Sequence, residues 1–508
     1  MVVAPTDTVT HLVPTAEDGT PSGEKMACED LSEAVARIEA AEHPRWVWDG
    51  TARTYSALFA AGVALERSHD LTLVGSILAM RRGQATEQSY TTVDDRPGLF
   101  DAFHYPSVDD VLERHRDQVA EINPSASLRL LAAAESAGAL AAVEMSHVGL
   151  PFSTATHFDY LENMLGPRPP EGMIPQQMAE LEREISDAFG RRVNPSSPVE
   201  VVAAFARADI ELTSTRAYLL REINHPAVPL LLRHRDLSKL FSTNGWSWTD
   251  SWVHGNRFRP VYVPGGVVSG RWASRGGGAL QIPKALRNSV IADSGHRFVI
   301  ADAGQLEPRI LAAMSQDRRM MDAAGADDLY APVATAAFDG DRSKAKVAVL
   351  AVLYGATAGE ARSLLTLLRR RFPDAVEYVE KAARAGERGE VVHSLLGRAC
   401  PPPTAEWWSH GDAHARGRFT RNFVVQATAS EWALCLLADL RRRLAADRDA
   451  GELVFFQHDE VVVHSRDPET AAEHVREAAL AATRLLFGDT VVRFPMDIEI
   501  RECYADPA

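Results

Sequence analysis

Residues 453–464 read LVFFQHDEVVVH, two apolar, β-branched and aromatic runs with Gln457, His458, Asp459 and Glu460 between them. Such runs suit short strands in a sheet core, so the segment is expected to fold as a buried hairpin. Its tip is then out of place, because it puts two carboxylates and an imidazole at the end of an apolar sheet.

A second stretch supplies a partner. HRFVIADAGQLEPRILAAMS (296–315) predicts a strand ending at Asp302, a turn eased by Gly304, and a helix entered near Glu307 with Pro308 in its first turn. Alone, Asp302 would read as a helix cap. Two strand-end carboxylates on neighbouring strands repel one another unless a cation lies between them, and hard oxygen ligands beside a triphosphate favour Mg²⁺. A third stretch, DRSKAKVAVLAVLYGATAGEA (341–361), repeats Arg342, Lys346, Leu350 and Tyr354 at four-residue spacing along one helix face. Its two cations fall in the first turns, where the helix dipole also favours an anion. An amphipathic surface helix is the plainer alternative.

At 508 residues and 46% hydrophobic, the chain is expected to divide into two or more domains. No run of roughly 18 apolar residues stands out and the start lacks a secretory pattern, so a cytoplasmic protein without a membrane partner is expected. Cys28, Cys400, Cys435 and Cys503 form no metal or disulfide spacing and read as buried reduced thiols. The net charge of −15 argues against a polyanionic partner at face value, yet about half of it lies in the first fifty residues. Basic clusters at Arg342/Lys344/Lys346, Arg369–Arg371 and Arg416/Arg418/Arg421 flank the candidate chemistry.

The order of segments, strands, then a helical block, then strands again, predicts an α+β core interrupted by a helical subdomain. The first 27 residues read as a disordered arm. A short strand is expected at Arg45 to Trp48.

Together the motifs resemble the family A DNA polymerases. Asp302, Gln305, Glu307 and Arg309 match its first motif, Arg342, Lys346, Tyr354 and Gly355 its second, and His458 to Glu460 its third, in the family's order. SGRWASRGGGALQIP and RNFVVQATASE resemble two further family segments. The resemblance covers roughly 144–501. It implies a right-hand architecture, with an antiparallel palm sheet (about 246–308 and 420–508), helical fingers (about 309–419) and a helical thumb (about 144–245). Residues 28–143 resemble a truncated, degenerate 3′–5′ exonuclease domain, in which Asp70 matches a family aspartate but Thr54 falls where a metal-binding Asp is expected.

Carried over by residue, the resemblance implies that Asp302, Asp459 and the Ala303 carbonyl bind two Mg²⁺ ions, with Mn²⁺ as a substitute, and that Glu460 belongs to the catalytic set. Gln305, Glu307, Tyr330, Arg342, Lys346, Leu350 and Tyr354 would bind the deoxynucleoside triphosphate, Glu307 rejecting a ribose 2′-hydroxyl. Arg271, Gln281, Arg287, Asn422, Gln426 and His458 would touch primer-template DNA. The implied protein is a monomeric template-directed DNA polymerase without proofreading. Departures from the family are Leu350 for an aromatic residue, Ala303-Gly304 for Tyr-Ser, Pro308 for Leu, and Tyr330 for a phosphate-contacting His. Two competing readings are a single-subunit RNA polymerase and a non-catalytic primer-template clamp.

Overall fold

The apolar run Phe298–Ala301 carries no group that needs water, and in the computed structural model it fills the interior of a strand, Arg297–Ala303. The structure describes residues 1–5, 9–84, 106–275, 278, 282–355 and 360–505. Gln281 therefore lies outside the described residues.

That strand is an inner member of a four-stranded antiparallel sheet in the order Glu452–Gln457, Glu460–Ser465, Arg297–Ala303, Met496–Arg501. Phe298, Val299, Val462 and Val463 are wholly buried in it. Side chains of this size contribute roughly 1.5–3 kcal/mol each on burial. The hairpin expected from LVFFQHDEVVVH is present, and His458 turns it with a φ of 60°. The helices Pro468–Phe487 and Ala126–Val148 pack against this sheet.

Two compact units divide the chain. The first comprises 1–148, 262–274 and 294–502, and the second 149–261, 275–293 and 503–508. The second contains most of the segment expected as a thumb, with helices Thr154–Leu165, Gln176–Ala188, Pro198–Arg207 and Ala227–Asn244. The first holds the four-stranded sheet and the helices Tyr330–Ala337, Arg342–Tyr354, Glu360–Arg371 and Pro373–Glu387 of the inserted block.

The amino-terminal region differs from expectation. Val2–Pro5, Thr10–Val13 and Met26–Cys28 are strands, so the first 27 residues are no disordered arm over their described part. They join Arg45–Trp48 and Arg67–Asp70 in a five-stranded sheet, with Val2–Pro5 parallel to Arg45–Trp48. Val2, Val3, Ala4 and Leu12 are buried there, which holds an otherwise polar segment in place. The expected strand at Arg45 to Trp48 is present.

Asp70 is consumed by structure. Its carboxylate accepts from the Thr51 amide and hydroxyl at 2.7 and 2.8 Å and from the Thr72 and Leu73 amides at 3.0 and 2.9 Å. Burial pushes its pKa up even so. It caps the helix Leu71–Arg81.

No break falls at 143/144, since the helix Ala126–Val148 runs through that point. Within it, Glu144 accepts from Arg441 Nε at 2.7 Å and from the Tyr55 hydroxyl at 2.6 Å, tying the helix Thr51–Ala60 to the long helix Ala413–Ala446. Both long helices are apolar and long enough to cross a bilayer, but 67% and 83% of their apolar windows are buried inside the fold. They serve as core. Cys400 and Cys435 are buried as expected, whereas Cys28 and Cys503 are half-exposed, and all four are free.

Candidate active site

Cross-strand register assembles the site. Asp302 stands opposite Glu460 on one side and opposite Asp497 on the other, and Glu460 in turn stands opposite Gln457. Directly opposite residues of antiparallel strands point to the same face. A row of three carboxylates therefore crosses three strands. The hairpin tip is drawn in beside it, because the Ala303 amide donates to the Asp459 carbonyl at 3.1 Å.

Electrostatics records how this crowding acts on Asp302. Its carboxyl is pushed up to about 7, first by burial and then by Asp459, Glu460 and Asp497. Every charged neighbour named there is another carboxylate. Asp459 is raised too, chiefly by burial, with Arg271 opposing and Glu307 adding to the rise. Like charges gathered in a partly buried site call for a cation, and oxygen donors suit Mg²⁺. Among the described residues no group of three or more His, Cys, Asp or Glu side chains is placed to hold a metal ion by itself. The donor set fits an ion that takes its remaining ligands from substrate and water.

Asp497 was missed by sequence reasoning. Only the register of Met496–Arg501 against Arg297–Ala303, almost 200 residues apart in sequence, brings it to Asp302. It also bears on one departure from the family pattern: a side chain at Gly304 would begin 3.2 Å from Asp497 Oδ2, so serine there would crowd the carboxylate.

Glu307 is the hub of the next layer. Its carboxylate accepts from Arg271 Nη2 at 2.5 Å and from the Tyr354 hydroxyl at 2.8 Å, and its side chain is 11% exposed. Burial, then Glu307, pushes the Tyr354 phenol up to about 12, so the hydroxyl keeps its proton to donate. Arg271 also holds His458 below its ordinary range, after the larger effect of burial. These influences put the Arg271–Glu307 pair beside the hairpin tip.

Gln305 adopts the left-handed region at φ 58° where the helix Leu306–Ser315 begins. Its side chain turns to Asp328, whose carboxylate also pairs with Arg342. Arg342 lies over the Tyr330 ring at 5.5 Å. Lys346 is exposed one turn further along the helix, and Leu350 is half-buried. Gly355 ends that helix at φ 70°. Arg309, in the first motif, is wholly buried and donates to the carbonyls of Gly304, Ala324, Ala326, Asp327 and Arg493.

The expected DNA-contacting residues are spread more widely. Asn422 and Gln426 sit one turn apart on the long helix. Among the described residues, His458 Nδ1, Asn422 Nδ2 and Arg287 Nε are buried without a hydrogen-bond partner. Arg287 belongs to the second unit, where its guanidinium lies over the Tyr504 ring at 4.5 Å. Of the basic clusters, Arg421 is no surface charge: it is buried, bonding Glu380 at 2.7 Å and the Val352 carbonyl at 3.0 Å.

Comparison with known proteins bears on this site. The family model described as DNA polymerase family A matches residues 171–502. DNA polymerase I of Chloroflexus aurantiacus is 26% identical over 316 residues, covering 56% of this chain and 33% of that protein. The thermostable DNA polymerase I of Thermus aquaticus is 27% identical over 318 residues, covering 56% and 37%. The chain thus spans about a third of the length of these relatives. Among solved structures, the POL domain of Pol1 from M. smegmatis, in complex with DNA primer-template and dNTP, shares the fold with a TM-score of 0.75. That likeness covers 98% of this chain and 92% of the other, at 19% identity.

Proposed function

The chain belongs to DNA polymerase family A, and from that premise we propose that it extends a primer 3′-hydroxyl with deoxynucleotides in template-directed order. The observation that carries the reading is the meeting of Asp302 with the hairpin tip, through register with Glu460 and the 3.1 Å bond from Ala303 to Asp459.

In this reading Asp302, Asp459 and the Ala303 carbonyl hold two Mg²⁺ ions. Bound there, the pair supplies a lowered pKa for the primer hydroxyl and charge compensation for the leaving pyrophosphate. Arg342 and Lys346 bind the triphosphate from the start of their helix. Glu307, fixed by Arg271 and Tyr354, presents a braced carboxylate to the sugar edge and excludes a 2′-hydroxyl. Leu350 gives the pocket an aliphatic wall in place of a ring. His458, Asn422 and Gln426 offer donors and acceptors to the duplex without reading its sequence. Arg287 is a further candidate contact to the duplex. Palm, fingers and thumb correspond to the catalytic sheet, the inserted helical block and the second unit's helices.

The region before residue 144 reads as an exonuclease-like remnant without proofreading activity. Support comes from Asp70, whose four hydrogen bonds leave little capacity for a metal. Primer extension on a defined template, with single deoxynucleotides omitted in turn, tests the reading. Stalling at the position that needs the missing nucleotide is expected, and synthesis indifferent to the template would overturn it.

A further inference from the structure

The loop before Tyr330 is fastened to the catalytic sheet's side of the site. Arg309 holds the Ala326 carbonyl at 3.0 Å and also the Asp327 carbonyl. Gln305 donates to Asp328 Oδ1 at 2.7 Å and accepts from the Leu329 amide at 2.8 Å. The Tyr330 amide reaches the same Asp328 oxygen at 3.1 Å. Against this fixed carboxylate Arg342 lays a fork, Nε to Oδ2 at 2.7 Å and Nη2 to Oδ1 at 3.2 Å. Among the described residues its other contact is the Tyr330 ring, and its side chain is 55% exposed.

A carboxylate offers a guanidinium the same two-oxygen edge that a terminal phosphate offers. Arg342 also stands at the right end of the site for that role. It precedes Tyr354 by twelve residues on one helix, about 18 Å at 1.5 Å per residue, with Lys346 between them about 12 Å from Tyr354 and about 6 Å from Arg342. If the sugar lies at Glu307 and Tyr354, the phosphate chain runs past Lys346 and ends at Arg342.

We propose that Asp328 is a specificity-determining positioning residue: it occupies Arg342 until the terminal phosphate of a nucleoside triphosphate takes the guanidinium over. This rests on the nucleotide-site reading above. A diphosphate stops short of Arg342 and leaves the pair closed. A triphosphate must break it, so its affinity carries the cost of the exchange, about two- to fivefold for an ion pair this exposed.

Asp328→Asn tests this, because it keeps an acceptor for Gln305 and Tyr330 while removing the charge; Asp328→Ser is the second variant should the first melt at lower temperature. The measurement is calorimetric binding of an α,β-imido dATP analogue and of α,β-methylene dADP to the full chain with primer-template and Mg²⁺. The triphosphate analogue is expected to bind about two- to fivefold tighter to the variant, with diphosphate affinity unchanged. Equal tightening of both ligands, no change, or weaker triphosphate binding would overturn the exchange. Arg342→Ala separates the two levels of inference. If it weakens the triphosphate analogue while Asp328→Asn has no effect, only the exchange fails; if it does not, the nucleotide-site reading fails with it.

Discussion

Asp302 stands opposite Glu460 in the register of two antiparallel strands, so two carboxylates share one face of a sheet at neighbouring positions. Cross-strand pairs of like charge are destabilising. Asp497 on the other flank adds a third. This fold gives up stability at the point where the proposed metal site lies.

That cost should be measurable. Unfolded, Asp302 titrates near its ordinary 3.8, whereas the folded site holds it at about 7. Between those values the folded chain binds more protons, so this group's contribution to stability falls as pH rises from about 4 to about 7. In EDTA, Asp302→Asn should therefore be more stable than wild type at pH 8, by about 1–2 kcal/mol after solvent screening of a partly exposed group, with no gain at pH 4. Urea melts at the two pH values check it. Adding Mg²⁺ should raise the melting temperature of the wild type more than that of the variant.

Removing the Glu307 carboxylate strands both Arg271 and Tyr354, which it now accepts from at 2.5 and 2.8 Å. Glu307→Ala should raise ribonucleotide over deoxynucleotide incorporation by about tenfold or more, equivalent to about 1.4 kcal/mol of discrimination. Single-nucleotide insertion kinetics measure the ratio. An unchanged ratio would remove Glu307 from sugar selection.

Arg309 makes a different kind of contribution, since its buried guanidinium donates to five backbone carbonyls. Arg309→Met withdraws the donor from carbonyls of which, among the described residues, only that of Ala324 has another partner, the Arg493 amide at 3.1 Å, and should destabilise the chain by about 3–5 kcal/mol, read from urea unfolding. A loss under 1 kcal/mol would contradict this assignment.

Asp70 is expected to matter for stability and not for nuclease chemistry. Asp70→Ala removes four hydrogen bonds and a helix cap, so a loss of about 2 kcal/mol or more should follow. Incubating wild type and variant with a mismatched 3′ terminus should release no nucleotide from either. Excision by the wild type that the variant lacks would restore Asp70 to a catalytic role.

Much of this site could be read from local sequence. HRFVIAD carries its strand to Asp302 and one residue beyond, and the three Val after Glu460 identify the hairpin, because burial and period act over a few residues. Asp497 and Asp328 could not be read in the same way. An acid in a short strand and an acid in a loop look like ordinary solvated charges until register and Gln305 bring them to Asp302 and Arg342. The amino-terminal strands were hidden for a related reason: Val2–Pro5 is four residues long, and its parallel partner begins at Arg45. Arg421 misled in the opposite direction, since a charge in a basic cluster gives no sign that Glu380 will bury it.

The most direct measurement is primer extension in Mg²⁺ by wild type, Asp302→Asn and Asp459→Asn, each shown to be folded by its melting profile. The wild type should extend a primer to the end of its template, and each variant should lose about three orders of magnitude in rate, about 4 kcal/mol of transition-state stabilisation. Full activity in either variant would contradict the metal-holding role of that carboxylate and with it the proposed centre.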